Sequence, residues 1–227
     1  MIEIDDAGSG SLIGGTGIGL LRSETQEYIF DLIPLSLFQE PQFQEKKYQL
    51  YVIKIIQEAF HKLKVTTDEP IRVCRSYIFD ELRHWLTREG YQWESTKIEG
   101  PLQEKVEESF SQYVIELGLP KNFVQHAKYA FGFHRLFKWI VADFDSRAEL
   151  CKSGWKSWQK WSNTEIAITN GQAAKEVYCL KCGSLIKKGE KTKNITYNTN
   201  KKWIVELHPH CYHKPSLALP QHFSQEV

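Results

Sequence analysis

The first 120 residues alternate between two hydrophobic patterns, one typical of strands and one typical of helices. In the strand-like segments, apolar residues run together or alternate with polar ones between turn residues. In the helix-like segments, apolar residues recur every three or four positions. The predicted strands cover 1–4, 13–22, 28–38, 71–74 and 91–98. The predicted helices cover 43–63, 79–88 and 101–117. This order, βββαβαβα, predicts a mixed α/β domain over residues 1–120.

The rest of the chain divides into further parts by its pattern. An apolar stripe at i, i+4 and i+7 spacing predicts one long helix over 121–150, within a helical extension that covers 121–161. The polar, glycine-containing residues 162–177 are typical of a linker. Residues 178–215 hold a cluster of cysteines and histidines, which predicts a small metal-binding module, and a tail follows at 216–227.

Composition and charge restrict the class of protein. Of the 227 residues, 41% are hydrophobic and 25% are charged, values that exclude a disordered or fibrous chain. No apolar run approaches the roughly 18 residues of a membrane-spanning helix, so we expect no membrane association. Residues 1–120 carry a net charge of −8 and residues 121–227 one of +9. This asymmetry favours a polyanionic partner for the second half, although solvated acidic and lysine-rich surfaces would produce it equally well.

Lysine and tryptophan residues interleave between residues 152 and 161. Ammonium groups bind phosphates and indole rings stack on bases, so this pattern is typical of nucleic-acid binding. The tryptophans would also pack this segment on the preceding helix, which we expect for at least two of the three. Nucleic acid, either DNA or RNA, is therefore the expected partner.

Two pairs of potential metal ligands predict a zinc site. Cys179 and Cys182 form a Cys-x-x-Cys pair, and after a further 25 residues His208 and Cys211 form a His-x-x-Cys pair. These side chains supply the four ligands of a tetrahedral Zn²⁺ ion, which leaves no open position, so the site is expected to be structural. A module this small buries little apolar surface, so the metal would stabilise its fold.

The cysteine content favours metal binding over disulfide bonds. The chain has five cysteines, an odd number, and no recognisable signal peptide. We therefore expect an intracellular, reducing compartment, cytoplasmic or nuclear. Cys74 and Cys151, outside the zinc pattern, are expected to be buried small residues.

The zinc-ligand segment resembles a PARP-type zinc finger. The resemblance rests on three stretches: Cys179-x-x-Cys182-Gly183, Lys188-Gly189-Glu190 and His208-Pro209-x-Cys211-Tyr212. It implies the same four zinc ligands and contact with nucleic acid. Leu207 departs from the family, which has an aromatic residue before the histidine, and His210 and His213 are alternative ligands.

Two adjacent carboxylates, Asp5 and Asp6, lie at the end of the first predicted strand, which is otherwise apolar, and Asp6 is equally typical of the turn that follows. An unpaired carboxylate is costly to bury, so Asp5 in this setting indicates a functional role. The stretch from Ile4 to Gly10 reads Ile-Asp-Asp-Ala-Gly-Ser-Gly and resembles the opening of type-2 ribonucleases H. Together with the βββαβαβα order, it is similar to the ribonuclease H-like superfamily over residues 1–118. The resemblance implies a ribonuclease H-like mixed sheet, with Asp5 as the first metal ligand and Asp6 as the second.

The same resemblance implies a catalytic centre with Mg²⁺ or Mn²⁺. Two such ions need three or four convergent carboxylates, which the family draws from the first strand, the first helix, the end of the fourth strand and the last helix. Glu99 at the end of the fifth strand and Glu104 in the first turn of the last helix are the further candidates, with Asp80 as an alternative. The chain departs from the family at Gln49 and Arg75, where carboxylates are expected.

The glycines between residues 14 and 19 do not predict a nucleotide-binding loop. The Gly-x-Gly-x-x-Gly spacing is absent, and a strand rather than a helix is predicted to follow. We therefore expect no nucleotide cofactor.

Three functions follow from these observations. The favoured one is divalent-metal-dependent hydrolysis of a nucleic-acid phosphodiester at Asp5, with the basic half and the zinc finger binding the substrate. The second function is that of a non-catalytic nucleic-acid-binding or protein-adaptor module with structural zinc. Gln49 and Arg75 favour it, because they stand where a catalytic centre would have carboxylates. The third is an unrelated α/β enzyme that uses Asp5 and Asp6 for other metal chemistry.

Overall fold

A computed structural model describes residues 1–125, 131–213 and 221–222. The chain divides into two compact units. The first unit contains residues 1–125 together with the short segment 152–154. The second contains residues 126–151 and 155–227.

The first unit has the mixed α/β composition that the sequence predicts, with its elements in the predicted order. Its strands are β1 (Ile2–Ala7), β2 (Thr16–Arg22), β3 (Glu27–Ile33), β4 (Ile71–Cys74) and β5 (Trp93–Thr96). Its helices are α1 (Lys47–Leu63), α2 (Asp80–Arg88), α3 (Pro101–Glu116) and α4 (Lys121–Gln125). Short 3-10 helices cover Leu35–Phe38 and Tyr77–Phe79.

The five strands form one mixed sheet in the order β3-β2-β1-β4-β5. β1, β2 and β3 are antiparallel neighbours, whereas β4 runs parallel to β1, and β5 runs parallel to β4. In this register Asp5 lies opposite Gly19 of β2, and Ile4 lies beside Val73 of β4. The carboxyl ends of β1 and β4 therefore lie at the same edge of the sheet.

Apolar side chains on both faces of this sheet hold the helices in place. Leu20 and Leu21 are neighbours in β2 and so point to opposite faces. Leu20 belongs to a core cluster that includes Val52 of α1 and Leu82 of α2, while Leu21 packs with Leu102 of α3. The sheet is thus covered by α1 and α2 on one face and by α3 on the other.

Glycines allow α3 to approach the sheet closely. Gly19 lies beneath α3, and a Cβ atom there would lie 3.1 Å from Val106. Gly8 has a φ of +83°, and a Cβ atom there would lie 2.1 Å from the Phe110 ring. The glycine-rich start of the chain therefore serves the packing of α3 and the turn that follows β1.

The second unit combines short helices with two small sheets. The helices are α5 (Phe133–Val141), α6 (Phe144–Arg147) and α7 (Lys156–Trp161). The strands are β6 (Ile166–Gln172), β7 (Val177–Tyr178), β8 (Leu185–Ile186), β9 (Lys191–Asn198), β10 (Lys202–Leu207) and β11 (Gln221–His222). One sheet has the order β10-β9-β6-β11, and β7 pairs with β8 in the other. Short 3-10 helices cover Ala148–Leu150 and Pro209–Cys211.

The prediction of one long helix over 121–150 is wrong. Helices α4, α5 and α6 occupy this segment instead, and residues 126–130 lie outside the described residues. Gly132 has φ −58° and ψ 134° just before α5, and Asp143 has φ −156° and ψ 66° just before α6. Both conformations end the helical backbone. The apolar residues nevertheless keep their helical spacing in the sequence, which is why the pattern does not reveal these breaks.

Two further boundaries differ from the sequence-based expectation. The segment 162–177, predicted as a linker, contains β6, in which Ile166 and Ile168 alternate as buried residues. Of the predicted tail 216–227, residues 221–222 pair with β6 and the others lie outside the described residues. Among the helices described above, none is both long and apolar enough to span a bilayer.

Candidate metal centres

The second unit brings the four predicted zinc ligands together. Cys179 and Cys182 lie in the turn between β7 and β8, while His208 and Cys211 follow β10. The potential ligand atoms of all four residues lie within 4.8 Å of one another. His208 Nδ1 is 3.4 Å from Cys182 Sγ and 3.9 Å from Cys211 Sγ. These residues can therefore hold a metal ion such as zinc.

The spacing of these atoms fits a tetrahedral zinc ion. Bonds of about 2.0 Å to nitrogen and about 2.3 Å to sulfur place tetrahedral ligand atoms roughly 3.5 to 3.8 Å apart. His208 Nε2 lies 3.4 Å from the Leu185 carbonyl oxygen, which favours the tautomer that leaves Nδ1 free for a metal. The alternative ligands His210 and His213 are exposed and do not belong to this group, and the His210 ring stacks on His208 instead.

In the metal-free protein, the pKa values of the Cys182 and Cys211 thiols are shifted in opposite directions. Burial and a hydrogen bond with Cys182 raise the pKa of Cys211 to about 12. Burial also acts against ionisation of Cys182, but hydrogen bonds from Ser184 and the neighbouring thiols lower its pKa to about 6. The group is thus arranged to stabilise a thiolate at Cys182, the form of cysteine that binds zinc.

A buried arginine, which the sequence analysis did not identify, supports the cysteine turn. Arg147 donates hydrogen bonds to the carbonyl oxygens of Leu180 (2.8 Å) and Lys181 (3.1 Å), the two residues between the cysteines. It also donates to the Trp139 carbonyl (2.6 Å), and its guanidinium lies 4.0 Å from the centre of the Trp139 ring. Burial lowers the pKa of Arg147 to about 10. Arg147 of α6 therefore holds the turn through two carbonyl groups and binds α5 through a third.

The first unit contains a second group of potential metal ligands, at the edge where β1 and β4 end. Asp5, Asp6 and Cys74 each offer one ligand atom, and these atoms lie within 4.8 Å of one another. Asp5 is only 6% exposed, which fits its position in a strand that is covered by α3. The group of potential ligands thus contains the two predicted aspartates and, in addition, the Cys74 thiol at the end of β4.

The environment of Asp5 disfavours its charged form. Burial raises the pKa of Asp5 to about 6, against a hydrogen bond with Cys74 that lowers it. The negative charges of Asp6 and of Glu107 in α3 raise it further. Burial also raises the pKa of Cys74 to about 12, so in the metal-free protein its thiol donates to the Asp5 carboxylate.

A buried lysine lies on the Asp6 side of this group. Lys152 is 0% exposed, and its ammonium donates to the Gly8 carbonyl (2.6 Å) and to Thr16 Oγ1 (2.9 Å). Burial lowers the pKa of Lys152 to about 7, while the charge of Asp6 raises it. Burial raises the pKa of Asp6, against hydrogen bonds with Ser9 and Ser76 and the charge of Lys152. Lys152 thus partly neutralises Asp6 from within the core.

The other predicted catalytic carboxylates do not join this group. Glu99 follows β5 at the outer edge of the sheet, where it is exposed and forms an ion pair with Lys97. Glu104 is exposed in the first turn of α3, one turn before Glu107. Asp80 begins α2, and its carboxylate accepts a hydrogen bond from Arg83 Nη1 at 2.8 Å. Among the described residues, only the pair Asp5 and Asp6 supplies carboxylates to a potential metal site in this unit.

These donors do not fit the two-ion Mg²⁺ or Mn²⁺ centre that the sequence resemblance implies. Such a centre needs three or four carboxylates, whereas this group offers two carboxylates and a thiol. Gln49 is buried, and its Nε2 donates to the Tyr77 carbonyl at 2.6 Å, so it has a structural partner. Arg75 follows Cys74 and is exposed. The group fits a single cation.

The basic–aromatic segment 152–161 is partly built into the core. Lys152 belongs to the first unit and is buried, so it is not available to bind phosphate groups as the sequence pattern suggested. Trp158 is buried, lies parallel to Phe144 with ring centres 6.1 Å apart and packs edge-on against Phe137. Packing therefore accounts for part of the pattern.

Comparison with known proteins does not assign the chain to a family. No protein-family model matches it, and no curated protein matches it either. The fold and the two groups of potential metal ligands are therefore the features that point to a function.

Proposed function

We propose that the protein is a metal-dependent hydrolase of nucleic-acid phosphodiesters with a ribonuclease H-like first unit. The observation that carries this proposal is the convergence of Asp5, Asp6 and Cys74 at the end of the central strand pair β1 and β4. The sequence resemblance implies ligands from the first strand, the first helix, the end of the fourth strand and the last helix. Three of these positions correspond here to Asp5 and Asp6, to Cys74, and to Glu107, whose charge reaches Asp5, whereas the first helix has Gln49.

The residues of this unit have distinct roles in the proposed activity. Asp5 and Asp6 would hold a divalent cation, which polarises a phosphodiester and lowers the pKa of a bound water molecule. Lys152 fixes the Gly8 carbonyl and so positions the turn that follows the two aspartates. Arg75 is exposed next to Cys74, where its guanidinium is suited to a phosphate oxygen of the substrate.

The second unit supplies substrate binding in this proposal. The second unit, residues 126–151 and 155–227, carries a net charge of +7, and four lysines lie on the hairpin of β9 and β10 or in its turn. These are Lys191, Lys193, Lys201 and Lys202. The zinc module is proposed to be a PARP-type-like finger whose metal has a structural role. Its positive charge would offset the repulsion between the acidic first unit and the phosphates.

Cleavage assays with a matched carboxylate control test the proposal. Purified protein is incubated with single-stranded, duplex and RNA–DNA hybrid substrates and a divalent cation, beside Asp5→Asn and Glu104→Gln. We expect cleavage by the wild-type protein and by Glu104→Gln, and loss of cleavage in Asp5→Asn. Equal cleavage by all three proteins, or no cleavage by folded and zinc-loaded wild-type protein, would refute a hydrolase centred on Asp5.

A non-catalytic nucleic-acid-binding module is the second candidate. The observation that favours it is the position of the buried Lys152 beside Asp6. Its charge already offsets part of the negative charge that would attract cations. This candidate predicts binding of nucleic acid that does not depend on divalent cations and is unchanged in Asp5→Asn. Fluorescence anisotropy with labelled oligonucleotides, with and without chelator, distinguishes the two candidates.

A further inference from the structure

The end of β4 carries a thiol where a carboxylate would complete a magnesium site. Cys74 Sγ lies within 4.8 Å of ligand oxygens of both Asp5 and Asp6. Mg²⁺ takes oxygen ligands almost without exception, whereas thiolate ligands favour zinc and other borderline or soft metals. The group therefore differs from a magnesium site both in the type of ligand atom, since one is sulfur, and in the number of carboxylates.

The number of ligand atoms in this group sets the number of cations that it can hold. Asp5, Asp6 and Cys74 each offer one ligand atom, and these three atoms lie within 4.8 Å of one another. A pair of divalent cations would need three or four carboxylates, of which this group has two. The neighbouring Lys152 is 0% exposed and offers no further negative ligand, so the group has ligands for one cation.

We propose that Asp5, Asp6 and Cys74 form a site for a single divalent transition metal, of the class of Zn²⁺ or Co²⁺, in preference to Mg²⁺. On binding, a metal–sulfur bond forms and the thiol proton of Cys74 is released to solvent. The three ligand atoms, two from carboxylates and one from the thiol, limit the site to one ion. This inference rests on the metal site of the proposed function and specifies which metal that site takes.

Cobalt spectroscopy on the full chain tests this proposal. The site formed by Cys179, Cys182, His208 and Cys211 is first loaded with one equivalent of Zn²⁺. Its three cysteines bind Zn²⁺ more tightly than Co²⁺. Co²⁺ is then added, and sulfur-to-cobalt charge-transfer absorption is recorded for the wild-type protein, Cys74→Ser and Cys151→Ser. Cys151 is a buried thiol in the other unit, so Cys151→Ser controls for the loss of a cysteine.

The expected result is one equivalent of bound Co²⁺ with a charge-transfer band in the wild-type protein and in Cys151→Ser, and no such band in Cys74→Ser. We expect Cys74→Ser to weaken Co²⁺ binding by at least the roughly 10-fold that loss of outer-shell partners causes. Cys74→Asp should bind Mg²⁺ more tightly than the wild-type protein does. A wild-type spectrum without a Cys74-dependent band, two equivalents of Co²⁺, or displacement of Co²⁺ by equimolar Mg²⁺ would overturn the inference.

The cleavage assay separates this inference from the proposed function. A Cys74-dependent cobalt band in a protein that cleaves no substrate supports the metal site and refutes the hydrolase. Cleavage that depends on Asp5 but is equally fast with Mg²⁺ in wild-type protein and Cys74→Ser supports the hydrolase and overturns the metal preference.

Discussion

The two groups of metal ligands differ in how their charge is balanced before any metal binds. In the second unit three thiols and an imidazole converge, and the buried Arg147 donates hydrogen bonds to carbonyl groups of the turn. In the first unit two carboxylates converge, and the buried Lys152 already offsets the charge of one of them. We therefore expect the first arrangement to depend on a metal for its stability and the second to be less dependent on one.

Of the changes that separate the two groups of ligands, removal of zinc is expected to have the largest effect on stability. Zinc contributes about 10 to 16 kcal/mol of apparent binding free energy in small zinc modules, which exceeds the stability of most domains. We expect a strong chelator to expose residues 178–211 to limited proteolysis, while the sheet of β1 to β5 remains protected. Mass spectrometry of the fragments checks this. Protection of residues 178–211 in metal-free protein would show that packing alone maintains the ligand geometry.

Substitution of Lys152 by methionine is expected to have the next largest effect. It leaves the Gly8 carbonyl, the Thr16 hydroxyl and the Asp6 carboxylate buried without their cation. Removal of one partner from a buried charge pair costs about 3 to 5 kcal/mol. Urea denaturation followed by circular dichroism measures the loss.

The matched control is Lys160→Met, which changes an exposed lysine that lies 4.5 Å above the Trp161 ring. We expect a change of no more than about 0.5 kcal/mol for this variant. A loss below about 1 kcal/mol in Lys152→Met would mean that the lysine does not balance Asp6. Thr16→Ser, which keeps the acceptor, tests whether the pocket tolerates a conservative change.

The smallest expected effect is the pH dependence that Asp5 gives to stability. Its pKa is about 6 in the folded protein, against an ordinary value of 3.8 in the unfolded chain. The folded state thus binds this proton more tightly, so the contribution of Asp5 to stability is lost as the pH rises from about 4 to about 6. We expect Asp5→Asn to gain about 2 kcal/mol relative to the wild-type protein across this window in metal-free buffer.

Urea denaturation at a series of pH values measures that difference. Asp80→Asn changes an exposed aspartate of the same unit and controls for the loss of a carboxylate at the surface. A wild-type and Asp5→Asn difference that does not change between about pH 4 and pH 6 would show that burial does not shift Asp5.

The sequence predicts these two groups of ligands to different extents, because they are assembled over different distances along the chain. Cys179 and Cys182 are close neighbours, and their spacing alone predicts a turn with two ligands. Asp5 was found because a carboxylate in an apolar strand is unusual. Lys152 reaches the Gly8 carbonyl across 144 residues, and no local pattern records such a contact.

The same reasoning explains the missed elements of the fold. Hydrophobic spacing predicts the five strands and three of the four helices of the first unit, because most of these elements bury at least one face. The spacing continued through Gly132 and Asp143, where the backbone leaves the helical conformation, so one long helix was predicted in place of separate ones. The sequence indicates Glu104 rather than Glu107, because the rotation of α3 over β1 depends on its packing above Gly19, which no local pattern gives.

The segment 152–154 has a consequence for any attempt to produce the first unit alone. The main chain leaves this unit after residue 125, returns for three residues and leaves again. Those three residues bring the Lys152 side chain and two backbone bonds, from Lys152 to the Leu12 carbonyl and from Gly154 to the Phe38 carbonyl. A fragment that ends at residue 125 would contain every strand of the sheet and still lack the cation beneath Asp6. The separable parts of this protein are therefore not contiguous stretches of its gene, and an exchange of either part by recombination at a single junction would leave both incomplete.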